Sequence, residues 1–192
     1  MKKYVLLVFA MCLFLFADAQ SFSVGAKGGL NISNISNREG DSKTSFHLGS
    51  FQRYRFNDNI GVQVDLLYSR QGFKDHGDHK FWYRADYLNI PVMAKVYLFR
   101  TLSLDFGPQL GILLSGETKE KSGRTKIITK NKDIHTLDIS LAMGLSYEFL
   151  DNFNVELRYN VGLTNVEKKS RVGNTNKHEV FQISLGYRLL SF

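Results

Sequence analysis

The feature that most constrains this chain is a two-residue hydrophobic alternation, sustained through segment after segment. Val155, Leu157, Tyr159, Val161 and Leu163 alternate with Glu156, Arg158 and Asn160. Phe181, Ile183, Leu185, Tyr187 and Leu189 do the same against Gln182, Ser184 and Arg188. The stretches at 22–32, 62–69, 102–114 and 137–149 repeat the pattern. Period two puts successive side chains on opposite faces of a strand, whereas an amphipathic helix repeats every 3.6 residues. With "TSFHLGSFQRYRF" and "YLNIPVMAKVYL" the count comes to eight strands. Their length, roughly 12–16 residues, exceeds the about 5–6 typical of soluble strands. A tilted membrane-spanning strand needs about 9–11 residues.

The connections between these strands also alternate. Three are tight, at 57–59, 100–101 and 151–152, and four are long and polar, at 34–43, 73–84, 117–133 and 166–178. An even number of antiparallel strands with short turns on one side and long loops on the other is the outer-membrane pattern. The expected fold is all-β, an eight-stranded antiparallel transmembrane barrel. Both termini would be periplasmic, with the short turns beside them and the long loops outside the cell.

The first residues agree with export. Lys2 and Lys3 precede an apolar run at 5–16 and an Ala17-Asp18-Ala19 cleavage pattern, which reads as a signal peptide over 1–19 with the barrel over 20–192. The apolar run is too short to span a bilayer as a helix. The single cysteine, Cys12, would leave with it, and Met11 before it lacks the small side chain of a lipoprotein site. The formal net charge of +7 then suggests anionic lipid or polysaccharide neighbours, since an exported chain does not meet nucleic acid.

Either face of an alternating strand can be the wet one, and the polar register decides which. It is rich in small and amide residues (Gly25, Gly29, Asn31, Gly61, Gln63, Gly107, Gln109, Gly144, Gly162, Gly186), as suits the crowded interior of a narrow barrel. Its charges nearly balance: Lys27, Arg53, Arg55, Lys95, Arg158 and Arg188 against Asp65, Asp105, Asp138, Glu148 and Glu156. Buried charge survives when it is paired, so these eleven residues are expected to form an interior ion-pair network, with the aliphatic register facing lipid. Asp138, Glu148 and Glu156 also suggest paired carboxylates for acid–base chemistry, but the interleaved cations favour neutralisation. Aromatic residues should form girdles: Tyr54, Phe56, Phe149 and Phe153 by the short turns, and Phe46, Tyr68, Phe81, Trp82, Tyr83 and Phe181 toward the long loops.

Candidate sites are sparse. His76 and His79, with Asp75 and Asp78, offer metal-ligand chemistry in one loop, but no third histidine follows at a set spacing. No cofactor is expected. The loop cations Lys119, Lys121, Arg124, Lys126, Lys130, Lys132, Lys168, Lys169, Arg171 and Lys177 outnumber the acids beside them and suit contact with lipopolysaccharide phosphates or an envelope partner. Ser69, Ser115, His47 and His135 lie where a lipid A-modifying barrel would place catalytic groups, yet no G-x-S-x-G pattern occurs. Such an enzyme is one alternative, and a soluble ligand-binding barrel with its aliphatic face turned inward is another.

The segments "KGGLNIS", "FHLGSFQRYRFNDNIGVQVDLLYSRQGFK", "YLNIPVMAKVYL", "GPQLGILLSG" and "DISLAMGLSYEF" together resemble the Bacteroidetes outer-membrane β-barrel domain often labelled PorT-like. The resemblance covers nearly all of residues 21–192 and implies a barrel of about eight strands without implying one activity. One member of that family is associated with secretion and gliding machinery, which implies a possible secretion-machinery partner here. The leading expectation is a non-enzymatic integral outer-membrane protein with a structural or interaction role.

Two local features carry further expectations. Pro91 shares the inner register of Lys95, toward the loop end of its strand, and should produce a bulge or a break in pairing. Phe192 falls one residue off the register of Ile183, Leu185, Tyr187 and Leu189; either a bulge restores it to the lipid face or it points inward.

Overall fold

A computed structural model describes residues 21–35, 41–75, 81–122, 125–130, 136–163 and 178–192. These form nine strands: β1 (Ser21–Ile35), β2 (Asp41–Arg55), β3 (Ile60–Asp75), β4 (Phe81–Phe99), β5 (Leu102–Ser122), β6 (Thr125–Lys130), β7 (Leu137–Phe149), β8 (Phe153–Gly162) and β9 (His178–Ser191). No helix occurs among the described residues. Eight strands close an antiparallel barrel in the order β1-β2-β3-β4-β5-β7-β8-β9, and β9 pairs back onto β1. β6 stands outside this circle and pairs with the far end of β5, from Glu117 to Ser122.

The eight expected strands are therefore the barrel wall, and β6 is an addition. The stretches read as polar loops at 73–84 and 117–133 are largely extended: β3 continues to Asp75, β4 begins at Phe81, and Lys121 pairs with Lys126. Polarity misled there because strand ends standing clear of a bilayer have no apolar face to show. β-branched Thr125, Ile127, Ile128 and Thr129 are the residues that favour extension.

Side chains sort by register as expected. Outward residues such as Leu30, Leu48, Leu66, Leu104, Phe106, Met143, Leu145 and Leu185 are exposed. Inward residues such as Asn31, Gln63, Asp65, Lys95, Glu156 and Arg158 are at most 1% exposed. This is the reverse of a water-soluble protein, and it excludes a ligand-binding barrel with an aliphatic cavity. The lumen is not wholly polar: Phe51, Leu67, Tyr87, Met93, Tyr97 and Val180 are buried in it. Phe51 faces Gly25, its cross-strand partner, and a Cβ at Gly25 would collide with the Phe51 ring and the Tyr187 carbonyl.

At one end lie the three short turns, the start of β1 and the end of β9, where Phe22 N donates to Phe192 O at 2.9 Å and Phe192 N to Phe22 O at 2.8 Å. The β1–β9 register shifts between Val24 and Gly25, so Leu190 pairs with Val24 while Arg188 pairs with Gly25. Leu189 is thus the extra residue of a bulge. The bulge returns Phe192 to the lipid-facing register, where its ring stacks on Phe22 at 6.3 Å.

Pro91 behaves differently from a bulge. β4 runs from Phe81, which places Pro91 in mid-strand rather than near its loop end. The β3–β4 ladder pairs Val64 with Val92 and resumes, in unchanged register, at Leu67 with Asn89. A missing N–H interrupts the ladder locally, and continuous pairing on both sides of the break holds the register.

Candidate functional site in the ion-paired lumen

Inward alternation on β1, β3 and β8 brings four charges to one level. Lys27 Nζ lies 2.7 Å from Asp65 Oδ2 and 2.9 Å from Glu156 Oε2. Arg158 Nη2 donates to Asp65 Oδ2 at 2.8 Å and also contacts Glu156. Gln63 Nε2 donates to Asp65 Oδ1 at 2.9 Å, filling a lone pair that the cations leave. Two cations and two carboxylates neutralise one another, which is the condition for holding them at 0–2% exposure. β3 and β8 lie four strands apart around an eight-stranded circle, so the Arg158–Asp65 bond crosses the full width of the lumen.

A second crossing lies nearer the short turns. Arg53 on β2 meets Glu148 on β7, again opposite strands, at 2.5 Å, and Arg53 Nε donates to Gln63 Oε1 at 3.0 Å. Beside it, Lys95 is wholly enclosed and donates to Asp105 Oδ2 at 2.6 Å and Ser146 Oγ at 2.9 Å. Ser103 Oγ donates to Asp105 Oδ1 at 2.8 Å. The cation that looked misplaced in an apolar strand therefore has its acid on the adjacent strand, as the Cα partner of Lys95.

Three of the eleven charges expected in the network stand apart from it. Arg55 turns to the short-turn mouth, donating to the carbonyls of Asp58 at 3.0 Å and Arg100 at 3.3 Å, with its guanidinium 3.9 Å from the Tyr97 ring centroid. Arg188 donates to the Asp151 carbonyl at the same mouth. Asp138 sits half-buried at the opposite end of β7. Each belongs to the inner register, but it is height along the barrel that separates mouth from middle, and period-two reading carries no height.

Toward the long loops the lumen changes from ion pairs to amides. His47 bonds Asn31 Oδ1 through Nδ1 at 2.7 Å and Ser184 Oγ through Nε2 at 2.8 Å. Asn31 Nδ2 donates to Ser69 Oγ at 3.0 Å, and Gln182 Nε2 donates to Asn31 Oδ1 at 2.9 Å. Of the serines named with His47 as candidates for a lipid A-modifying enzyme, neither is bonded to it here; its hydroxyl partner is Ser184. A Ser–His–Asn line has the outline of a nucleophile with base and orienter. Here all three side chains are at most 3% exposed. Ser115 lies on the wall of β5, opposite Asp86.

His76, His79, His135, Lys132, Lys168, Lys169, Arg171, Lys177 and Arg124 lie outside the described residues. Lys119, Lys121, Lys126 and Lys130 fall on the paired backbone of β5 and β6, and their side chains are outside what is described, as are those of Phe81, Trp82 and Tyr83. No cluster of three or more metal-ligating side chains occurs among the described residues. Of the girdle by the short turns, Phe149 and Phe153 stack at 5.8 Å; toward the long loops, Phe46 and Tyr68 meet at 6.1 Å.

Comparison with known proteins agrees with this architecture. A family model described as an outer membrane protein beta-barrel domain matches residues 17–168. Among solved structures, the chain is similar to Ail, the attachment invasion locus protein of Yersinia pestis, solved in complex with the heparin analogue sucrose octasulfate. The identity is 18%, the coverage 88% of this chain and 98% of that one, and the TM-score 0.53. It is also similar to Neisserial surface protein A, at 13% identity, 88% and 97% coverage and a TM-score of 0.52. At these identities the likeness is one of fold. No curated protein matches the sequence.

Proposed function

This chain belongs to the outer membrane protein beta-barrel domain family, and we propose that it is a non-enzymatic member whose work is done on its outer surfaces and loops. It is an outer-membrane β-barrel protein. The observation that carries the proposal is the pair of ion bonds crossing the lumen, Arg158–Asp65 and Arg53–Glu148. A lumen bridged twice between opposite strands offers neither a channel nor a substrate chamber. What remains for function is the exterior.

With both termini in the periplasm, the long loops face outward and carry their excess of lysine and arginine to the cell surface. That charge suits polyanions: lipopolysaccharide phosphates, or an acidic face of an envelope protein. Ail, similar in fold, was solved with a polyanion. The resemblance to PorT-like barrels supports a finer version, an accessory role beside a secretion machine.

Two measurements test this reading. Lipid A from a deletion strain, compared with its parent by mass spectrometry, should be unchanged in acylation and phosphate content; an altered profile would replace the interaction role with an enzymatic one. Barrels purified from outer membranes with the loop cations intact, or changed to glutamine at 119, 121, 126, 168 and 169, should differ in retained envelope components. Equal recovery would remove the loops from the account.

A further inference from the structure

Charge on the outer wall begins at one level. From the short turns upward, the outward register of β3 runs Ile60, Val62, Val64, Leu66 and Tyr68; that of β4 runs Leu98, Val96, Ala94, Val92, Ile90 and Leu88. Both series then turn charged, at Arg70 on β3 and at Asp86 and Arg84 on β4, and the same register continues to Lys74 on β3. Among the outward residues whose side chains are described, the other charge is Glu179, at the same end of β9.

The three residues form one constellation. Arg70 and Asp86 are cross-strand partners, and Arg70 Nε donates to Asp86 Oδ1 at 2.8 Å. Arg70 Nη2 donates to the Tyr68 hydroxyl at 3.1 Å, and its guanidinium lies 5.1 Å from the Phe46 ring centroid. Arg84 Nε approaches Asp86 Oδ2 at 3.9 Å from the other side. Asp86 is 10% exposed at its side chain and each arginine 30%. One enclosed carboxylate thus lies between two partly open guanidinium groups, and Glu117 on β5 is the cross-strand partner of Arg84.

Two irregularities in the wall aim these side chains. The β2–β3 register shifts between Ser42 and His47. Next to that shift the Arg70 carbonyl accepts from Ser45 Oγ at 2.5 Å and from Asn31 Nδ2 at 2.9 Å, so the lumen network pins its backbone. The β4–β5 register shifts between Asp86 and Tyr87. Irregularities of this kind redirect side chains, and here one lies on each side of the site.

The height is also set. Arg70 is ten residues above Ile60, which at about 3.4 Å per residue and a tilt of about 40° is roughly 25 Å along the membrane normal. The apolar band of such barrels is about 25 Å tall. The arginines thus stand where hydrocarbon ends and headgroups begin, above an aromatic shelf of Phe46 and Tyr68.

We propose that Arg70 and Arg84, spaced by Asp86, bind the phosphate of an outer-leaflet lipid headgroup, whose acyl chains run down the wall beside Phe46, Tyr68 and Leu66. Guanidinium groups match phosphate oxygens in geometry as well as charge, and the low dielectric beside hydrocarbon strengthens the contact. The plain alternative is a cross-strand ion pair that only fastens β3 to β4. The site needs the outward-facing orientation proposed above but not the basic loops, so it can fail while the loop role stands.

The test is lipid retention by the full-length mature barrel, reconstituted in nanodiscs of phosphatidylcholine doped with lipid A or with its dephosphorylated form, and read by native mass spectrometry. The wild type should retain phosphorylated lipid A over the dephosphorylated form by roughly tenfold, the scale of one charge-assisted contact. Arg70→Gln/Arg84→Gln should erase the preference, while a loop variant, Lys168→Gln/Lys169→Gln, should keep it. Asp86→Asn breaks the ion pair yet removes a competing anion, so retention should hold or rise. Unchanged retention in the double arginine variant would overturn the proposal. So would a loss in Asp86→Asn as deep as in the arginine variant, or displacement of the lipid by equimolar inorganic phosphate. Gel mobility before and after boiling confirms that each variant is folded.

Discussion

Lys95 shows how a residue that violates its local pattern reports on the fold. A lysine between Ala94 and Val96 is costly in a core, but its strand has two faces in different solvents, and Asp105 meets it at 2.6 Å on the inner one. Removing one partner of such a pair strands the other. Lys95→Met should therefore destabilise the barrel by about 3–5 kcal/mol in urea titrations in lipid vesicles, and Lys95→Met/Asp105→Leu should recover much of that loss. Arg158→Gln should cost a similar amount, since Asp65 and Glu156 would share Lys27 alone. At Gly25 the constraint is space: Gly25→Ala must displace the Phe51 ring or the Tyr187 backbone, at a cost of about 1–3 kcal/mol by the same measurement. The pairing of inner charges was legible from register because opposite signs alternate in one face. Phe51 and Leu67 were not, since an apolar residue in the inner register breaks the rule that reveals the register.

At the scale of elements, turns and bulges carry what alternation cannot. Leu150 and Asp151 both hold left-handed backbone, at φ 47° and 56°, in the connection from β7 to β8. Leucine tolerates that region poorly, so Leu150→Gly should stabilise the barrel by about 1–2 kcal/mol, seen as slower unfolding in urea. The opposite outcome would mean that the exposed Leu150 side chain gains more from lipid or partner contact than its backbone loses. The β2–β3 turn uses side-chain chemistry instead: Asn57 Oδ1 accepts from Asn59 N at 2.9 Å and Ile60 N at 2.8 Å. The sequence marked both turns by their polar residues. It left the Leu189 bulge that turns Phe192 outward as one of two outcomes, and it did not mark the extension of β5 into a hairpin with β6. A bulge changes pairing without changing composition, and a strand end standing in water keeps its polar look.

For the whole molecule, closure accounts for the rest. Eight strands fix a lumen about as wide as the side chains that fill it, and the chain fills it with balanced charge and amides rather than with apolar bulk. That choice leaves an exterior able to contact hydrocarbon and headgroups at successive heights. Barrel topology was legible because length, alternation and turn spacing all agree. The site was less legible, because the rim group of Arg70, Arg84 and Asp86 depends on height and on two register shifts that only the folded wall displays. The account turns on the lumen being bridged shut by Arg158–Asp65 and Arg53–Glu148. Single-channel recording of the refolded barrel in planar bilayers tests that most directly. A closed lumen predicts no conductance steps above the bare-membrane background, whereas stable, reproducible open levels in the wild-type protein would contradict it.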